Sequence, residues 1–252
     1  MISVDTRYGF REAARMEWIK LGSLRSTRWV LAAGMVATVA LGVVAGYNTR
    51  SVTGDPTSNV LAGALIGQVI TGVLGVLAMT SEYSSGLVRV TFAAMPRRGL
   101  VLAAKAFVFG AVCLAAGEIT VVASFLGGMA ALRSSVPHPS LSDPAVLRAV
   151  LMTGAYLALT GLAGLGIGAI LRHGAAAVGV LVGGLFVLPL ITGAASRATG
   201  KFMPELIAGN SLAAVKPVAG FTWSPWLELG IVALYSAALL AAGGWLLVHR
   251  DA

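Results

Sequence analysis

Apolar runs free of charge, or nearly so, recur six times along the chain: 29–49, 60–81, 106–132, 149–171, 174–196 and 229–248. A bilayer core about 30 Å thick takes about 20 residues of helix to cross. Every run reaches that length, and within 106–132 the sole charge is Glu118. The pattern predicts an all-α integral membrane protein with six transmembrane helices. The alternating segments of about ten residues that mark a membrane barrel are absent. Polar stretches between the runs are short, so 1–252 reads as a single transmembrane domain.

Two of the intervening pieces carry patterns of their own. Over 10–24, Phe10, Ala14, Leu21 and Leu24 fall on one side of a helix, with Trp18 at its edge. Arg11, Glu12 and Arg15 fall away from them, and Glu17 interrupts the stripe. This is the pattern of an interfacial helix in the headgroup layer, its basic residues facing anionic lipid. The segment 82–100 is the longest connection on its side. Within it, Leu87 to Met95 forms two turns of helix ended by Pro96. A plain hairpin needs only a few residues, so a structured loop here implies a partner. Its charges are Glu82, Arg89, Arg97 and Arg98, and its apolar patch is Leu87, Val90 and Phe92. On the other side, 133–144 is a proline-rich irregular link. The longer loop 197–228 holds apolar pieces around Leu206 to Val215, which predicts a re-entrant segment between spans five and six.

Composition agrees with the spans. Of 252 residues, 57% are hydrophobic and 11% charged, against about 25% charged in soluble domains. That excludes an ordinary soluble enzyme, a disordered chain and a collagen-like fibre. The net charge of +8 is read against the bilayer and not as a nucleic-acid footprint. Twelve basic residues fall on one side: Arg7, Arg11, Arg15, Lys20, Arg25, Arg28, Arg89, Arg97, Arg98, Lys105, Arg172 and Arg250. Six fall on the other. Basic residues accumulate in the cytoplasm, so both termini are expected there. No short apolar core followed by a small-residue cleavage site precedes the first run, so that span is expected to remain.

The chemistry of an enzyme is missing. His138, His173 and His249 are far apart, and Cys113 is the sole cysteine, so neither a zinc motif nor an intramolecular disulfide arises. Gly209-Asn210-Ser211-Leu212-Ala213 lacks the last glycine of a nucleophile elbow. Gly200-Lys201 fails the phosphate-loop pattern at both ends, with Ala195 and Phe202 in the outer places. No catalytic residue, resident metal or cofactor is expected. Within the spans, a carboxylate at Glu118 is costly and should face protein or a wet cavity. It and Gln68 are the candidates for a substrate path or gate; the other reading, which Gln68 fits better because it is cheaper to bury, is a polar contact that fixes helix packing. The pairs Gly42/Gly46, Gly63/Gly67, Gly164/Gly168 and Gly179/Gly183 fit the small-residue spacing of close helix contacts.

Several stretches together resemble a family. Glu17-Trp18-Ile19-Lys20-Leu21-Gly22-Ser23-Leu24-Arg25-Ser26-Thr27-Arg28-Trp29 is similar to the start of bacterial permease subunits of the type-two ATP-binding-cassette (ABC) exporter class. Thr80-Ser81-Glu82-Tyr83-Ser84-Ser85-Gly86, Pro96-Arg97-Arg98, Ala103-Ala104-Lys105, Leu141-Ser142-Asp143-Pro144, Leu147-Arg148-Ala149-Val150, the stretch 168–173 and His249-Arg250-Asp251-Ala252 resemble later parts in order. The resemblance implies a bacterial plasma-membrane permease that pairs with a second copy or a related permease. It also implies two separate cytoplasmic ATPase subunits, which hold the ATP and magnesium. By the same resemblance, the helix of 10–24, with Glu17, Trp18, Lys20, Arg25 and Arg28, lies at the cytoplasmic surface, and the loop 82–100 docks on the ATPase. The mostly apolar spans favour a lipophilic or amphipathic cargo. The rival readings are an ion-coupled carrier, a membrane-embedded enzyme, and an immunity or sensor protein on the same fold. A carrier usually shows several intramembrane charges.

Overall fold

The computed structural model describes residues 9–23, 25–50, 55–95, 97–195, 202–204, 207–209, 213–214 and 223–249, with the backbone alone at 25–27 and 193–195. Among these residues every regular element is helical. In chain order they are α1 (Phe10–Ser23), α2 (Arg25–Asn48), α3 (Pro56–Leu61), α4 (Ala64–Ser84), α5 (Leu87–Ala94), α6 (Arg98–Ala131), α7 (Pro144–Leu171), α8 (Gly174–Val182), a π-turn (Gly183–Val187), α9 (Leu188–Ala195) and α10 (Pro225–His249). Six stretches are long and apolar enough to cross a membrane: α2 from Arg28, α3 with α4, α6, α7, α8 through the π-turn to Thr192, and α10. The chain is a multi-pass membrane protein.

The helices start where the sequence supplies caps. Asp55 accepts from the Thr57 amide at 3.0 Å with Pro56 as the first helical residue. Asp143 accepts from the Ala145 amide at 2.8 Å with Pro144 in the same place. Carboxylate caps and first-turn prolines both favour helix starts. Spans two and four therefore begin earlier than their apolar runs, at Pro56 and Pro144. The largest difference is at span three. The apolar run begins at 106, yet α6 starts at Arg98 and holds 34 residues, about 50 Å of helix. The connection 82–100 is correspondingly small, because α4 runs on to Ser84 and α5 fills most of what is left. Gly86, at φ 72°, makes the turn between α4 and α5, a conformation that only glycine adopts freely. The proline in span five is taken up by the π-turn. Pro189 has no N–H to offer, and the Leu188 amide bonds to the Gly183 carbonyl five residues back.

α7 is the hub, packed on α4, α6, α8 and α10, while α2 leans on α6 and α4. The tightest contact is between α4 and α7. A Cβ on Gly75 would land on the Gly161 carbonyl, and one on Gly164 on the Gly72 carbonyl. Gly46 meets Gly128 in the same way across α2 and α6. Of the paired glycines in the sequence, Gly164/Gly168, Gly42/Gly46 and Gly63/Gly67 meet neighbours, and Gly179/Gly183 meet none within 4 Å.

The tryptophans mark the membrane borders. All five are exposed: Trp29 and Trp245 near the ends of α2 and α10, with Trp18 of α1, at one end of the bundle, and Trp223 and Trp226 at the start of α10 at the other. Trp226 and Trp245 lie on α10, separated by about 28 Å of helix. Trp29 and Tyr47, both exposed on α2, are separated by about 27 Å. Two independent helices thus give the thickness of a hydrocarbon core, bounded by the aromatic side chains that favour its edges.

α1 does not turn the face of its apolar stripe simply to lipid. Ala13 and Glu17 are its buried residues, pressed toward α6, while Arg11, Arg15, Trp18 and Ile19 point outward. Glu17, the flaw in the amphipathic pattern, is 1% exposed and turned to protein. The expected re-entrant segment lies largely outside the described residues, as do the structures of Leu24, Pro96 and Lys201.

Candidate functional site

The end of the bundle that carries α1 and α5 holds four charges in one cluster. Glu17 and Lys20 come from α1, Glu82 from the last turn of α4, and Lys105 from the second turn of α6. Lys105 Nζ donates to Glu17 Oε2, and to Glu82 Oε1 at 2.8 Å. Lys20 Nζ donates to Glu17 Oε1 at 2.8 Å and to Glu82 Oε1 at 3.0 Å. Its third contact, 3.4 Å, is to Thr91 Oγ1 on α5. Two acids and two bases close a ring with no net charge. The side chains of Glu17 and Lys105 are 2% and 6% exposed, while that of Lys20 is 20% exposed, so the ring is buried at Glu17 and Lys105 and reaches solvent at Lys20.

Burial on this scale is tolerated only because each charge faces its opposite. At Lys20, loss of solvent pulls the ammonium pKa down, but hydrogen bonds and charge from Glu17 and then Glu82 more than offset this, and the pKa lies above the usual lysine value. Lys20 therefore stays charged. The ring joins α1, α4 and α6 directly and α5 through Thr91, so the four helices are held at one point.

Two arginines extend the same end toward α10. Arg98 donates to the Leu247 carbonyl at 3.0 Å and lies 5.3 Å over the Phe92 ring. Arg172 donates to the Leu246 carbonyl at 3.4 Å and lies 5.3 Å over the Tyr83 ring. Both guanidiniums meet the last turn of α10, where unpaired carbonyls and the negative end of the helix dipole favour cations.

α5 turns Val88 and Thr91 inward and presents Leu87, Arg89, Val90 and Ala93 outward. Arg97 is exposed just beyond it. Phe92 differs from the patch read in the sequence. It is half-buried, packed against the core beneath Arg98, so its ring supports α5 from within. Arg28 and Trp18 are exposed, and the Arg25 side chain lies outside the described residues.

The intramembrane candidates sit elsewhere. Glu118 is half-buried, and its carboxyl lies where a Cβ on Gly154 of α7 would be. Among the described residues no donor reaches its Oε2. Gln68 is fully buried and accepts from the Tyr156 hydroxyl at 2.6 Å, a hydrogen bond between α4 and α7. Neither joins the charged ring. Near Tyr156, a cavity of about 430 Å³ runs between α7, α8 and α10, lined mostly by apolar groups such as Leu181, Leu185 and Leu239.

Sequence reasoning missed the ring as a unit. Lys105 counted only among the twelve basic residues of its side and in a stretch that resembles the family, and Glu82 as a loop charge. One signal was present: an acid inside an apolar stripe, with a base three residues on, has to meet protein charges if the stripe is buried. No group of three or more potential metal-binding side chains gathers among the described residues. No protein-family model and no curated protein matches this chain.

Proposed function

We propose that this chain is the membrane-spanning permease subunit of an ATP-driven exporter, energised by a separate ATPase. The observation that carries the reading is α5. It is a short helix at one end of the bundle, with Leu87 and Val90 exposed beside Arg89 and Arg97. The charged ring ties it through Thr91 to α1, α4 and α6. A partner that moved α5 would move the ends of two spans with it. An apolar centre with a charged rim suits a protein contact. The chain carries no phosphate loop of its own, so the energy comes from outside.

On this reading both termini and α5 face the cytoplasm of a bacterial cell. Two permease copies, or one with a related permease, sit on two ATPases that bind ATP and magnesium. Nucleotide-driven closure of the ATPases pulls α5, and the ring passes the motion to α4 and α6. A lipophilic or amphipathic cargo leaves between the permeases. The outcome is export, and no bond is made or broken on this chain.

The test is Val90→Asp, which places an unpaired charge in the contact while leaving the ring and Phe92 alone. A cognate ATPase that co-purifies with the chain should bind the variant about tenfold or more weakly, the scale of one interface hot spot. Permease abundance and melting should stay unchanged. An ATPase held and stimulated equally by both forms would rule out α5 as the coupling contact.

A further inference from the structure

The charged ring lines one end of a cavity of about 420 Å³, within the size range of small-molecule sites. Its two poles differ. Glu17, Lys20, Glu82 and Lys105 form one, and Val30, Leu74, Leu77 and Phe109 form the other. Val30 follows Trp29, which marks the membrane border on α2. The cavity therefore opens at headgroup level, with its charged pole outermost and its apolar pole toward the acyl chains.

Two valences of the ring are unused. Both lysines bond to Glu82 through Oε1, and among the described residues no donor reaches Oε2. Lys105 makes two hydrogen bonds of the three an ammonium can donate. The cavity thus offers one carboxylate acceptor and one ammonium donor side by side. An anion alone or a cation alone would upset a neutral buried ring, and uncompensated charge there is costly. A headgroup carrying both signs leaves the balance intact.

We propose that this cavity binds one zwitterionic aminophospholipid from the leaflet at the α1 end of the bundle. Its primary ammonium donates to Glu82 Oε2, its phosphate accepts from Lys105, and an acyl chain lies along Leu74, Leu77 and Phe109. A quaternary ammonium has no N–H and cannot make the first bond, so phosphatidylcholine binds more weakly. Phosphatidylglycerol lacks the cation and binds more weakly also. The bound lipid wedges α1 against α4 and α6. The site does not depend on the transport reading.

Native mass spectrometry of the full-length chain in mild detergent tests this, titrated in turn with phosphatidylethanolamine, phosphatidylcholine and phosphatidylglycerol of matched chains. The expected result is one phosphatidylethanolamine retained about tenfold more tightly than either of the others, the scale of one charge-assisted hydrogen bond. Ala78→Phe fills the apolar wall from one helical turn before Glu82, and Leu77→Trp does so from a more exposed position. Whichever variant keeps the wild-type melting profile should lose the selectivity. Equal retention of all three lipids by the wild type would overturn the proposal. So would a preference for phosphatidylethanolamine that survives the filled cavity.

Discussion

Lys105→Met should cost about 3–5 kcal/mol of stability, the usual penalty for removing one partner from a buried ion pair. The substitution keeps most of the side-chain volume and deletes the charge. Glu17 and Glu82 would then share Lys20 alone, leaving one uncompensated negative charge at a site where Glu17 is 2% exposed. Adding Glu17→Gln to that background restores neutrality, with Lys20 still facing Glu82 at 3.0 Å. Most of the loss should be recovered, so the two substitutions couple strongly and do not add. Melting in detergent, followed for both single variants and the double, reads the coupling directly. A Lys105→Met protein that melts with the wild type would mean that the ring does not hold α1 to the bundle.

Gly75→Val should be at least as damaging, by about 3 kcal/mol or more. Overpacking against side chains in a well-packed core costs about 1–3 kcal/mol, but here the obstacle is backbone. A Cβ at this position meets the Gly161 carbonyl and, at 2.8 Å, the Leu165 amide nitrogen. Neither can rotate away, so α4 and α7 must separate. That strips contact from the hub of the bundle and pulls the Gln68–Tyr156 hydrogen bond apart. Gly179→Val, which meets nothing within 4 Å, should leave the melting of the subunit within about 0.5 kcal/mol of wild type. Equal melting of the two variants would contradict the α4–α7 contact.

These two sites divide what the sequence reveals from what it hides. The six membrane-crossing helices were legible because crossing a bilayer demands long apolar runs, a property each segment carries by itself. Their starts at Pro56 and Pro144 were half legible. Asp55 and Asp143 stand in the capping position before those prolines, but an apolar window passes over polar first turns. The start of α6 at Arg98 was hidden, because its first turns are anchored by charge and packing and not by hydropathy. Gly179 fits the small-residue spacing and Gly75 does not, yet Gly75 makes the close contact and Gly179 makes none, because only the neighbouring helix tells them apart. The ring was least legible. Glu17 and Lys105 are 88 residues apart, so each taken alone reads as an interruption or a boundary. Phe92, read as part of an outward patch, is half-buried beneath Arg98, a contact between residues whose side chains show nothing of it in the sequence.

For an ATPase to reach α5, the α1 end of the bundle has to lie in the cytoplasm. This is measured by single cysteines at positions 97 and 201 in a Cys113→Ser background, labelled in intact cells with a maleimide that cannot cross the membrane. Cys113 is buried, so its replacement by serine removes background without exposing a new surface. The twelve-to-six bias of basic residues predicts labelling at 201, and protection at 97 until the membrane is permeabilised. Labelling at 97 with protection at 201 would place α5 and the charged ring outside the cell, where no ATPase could drive them.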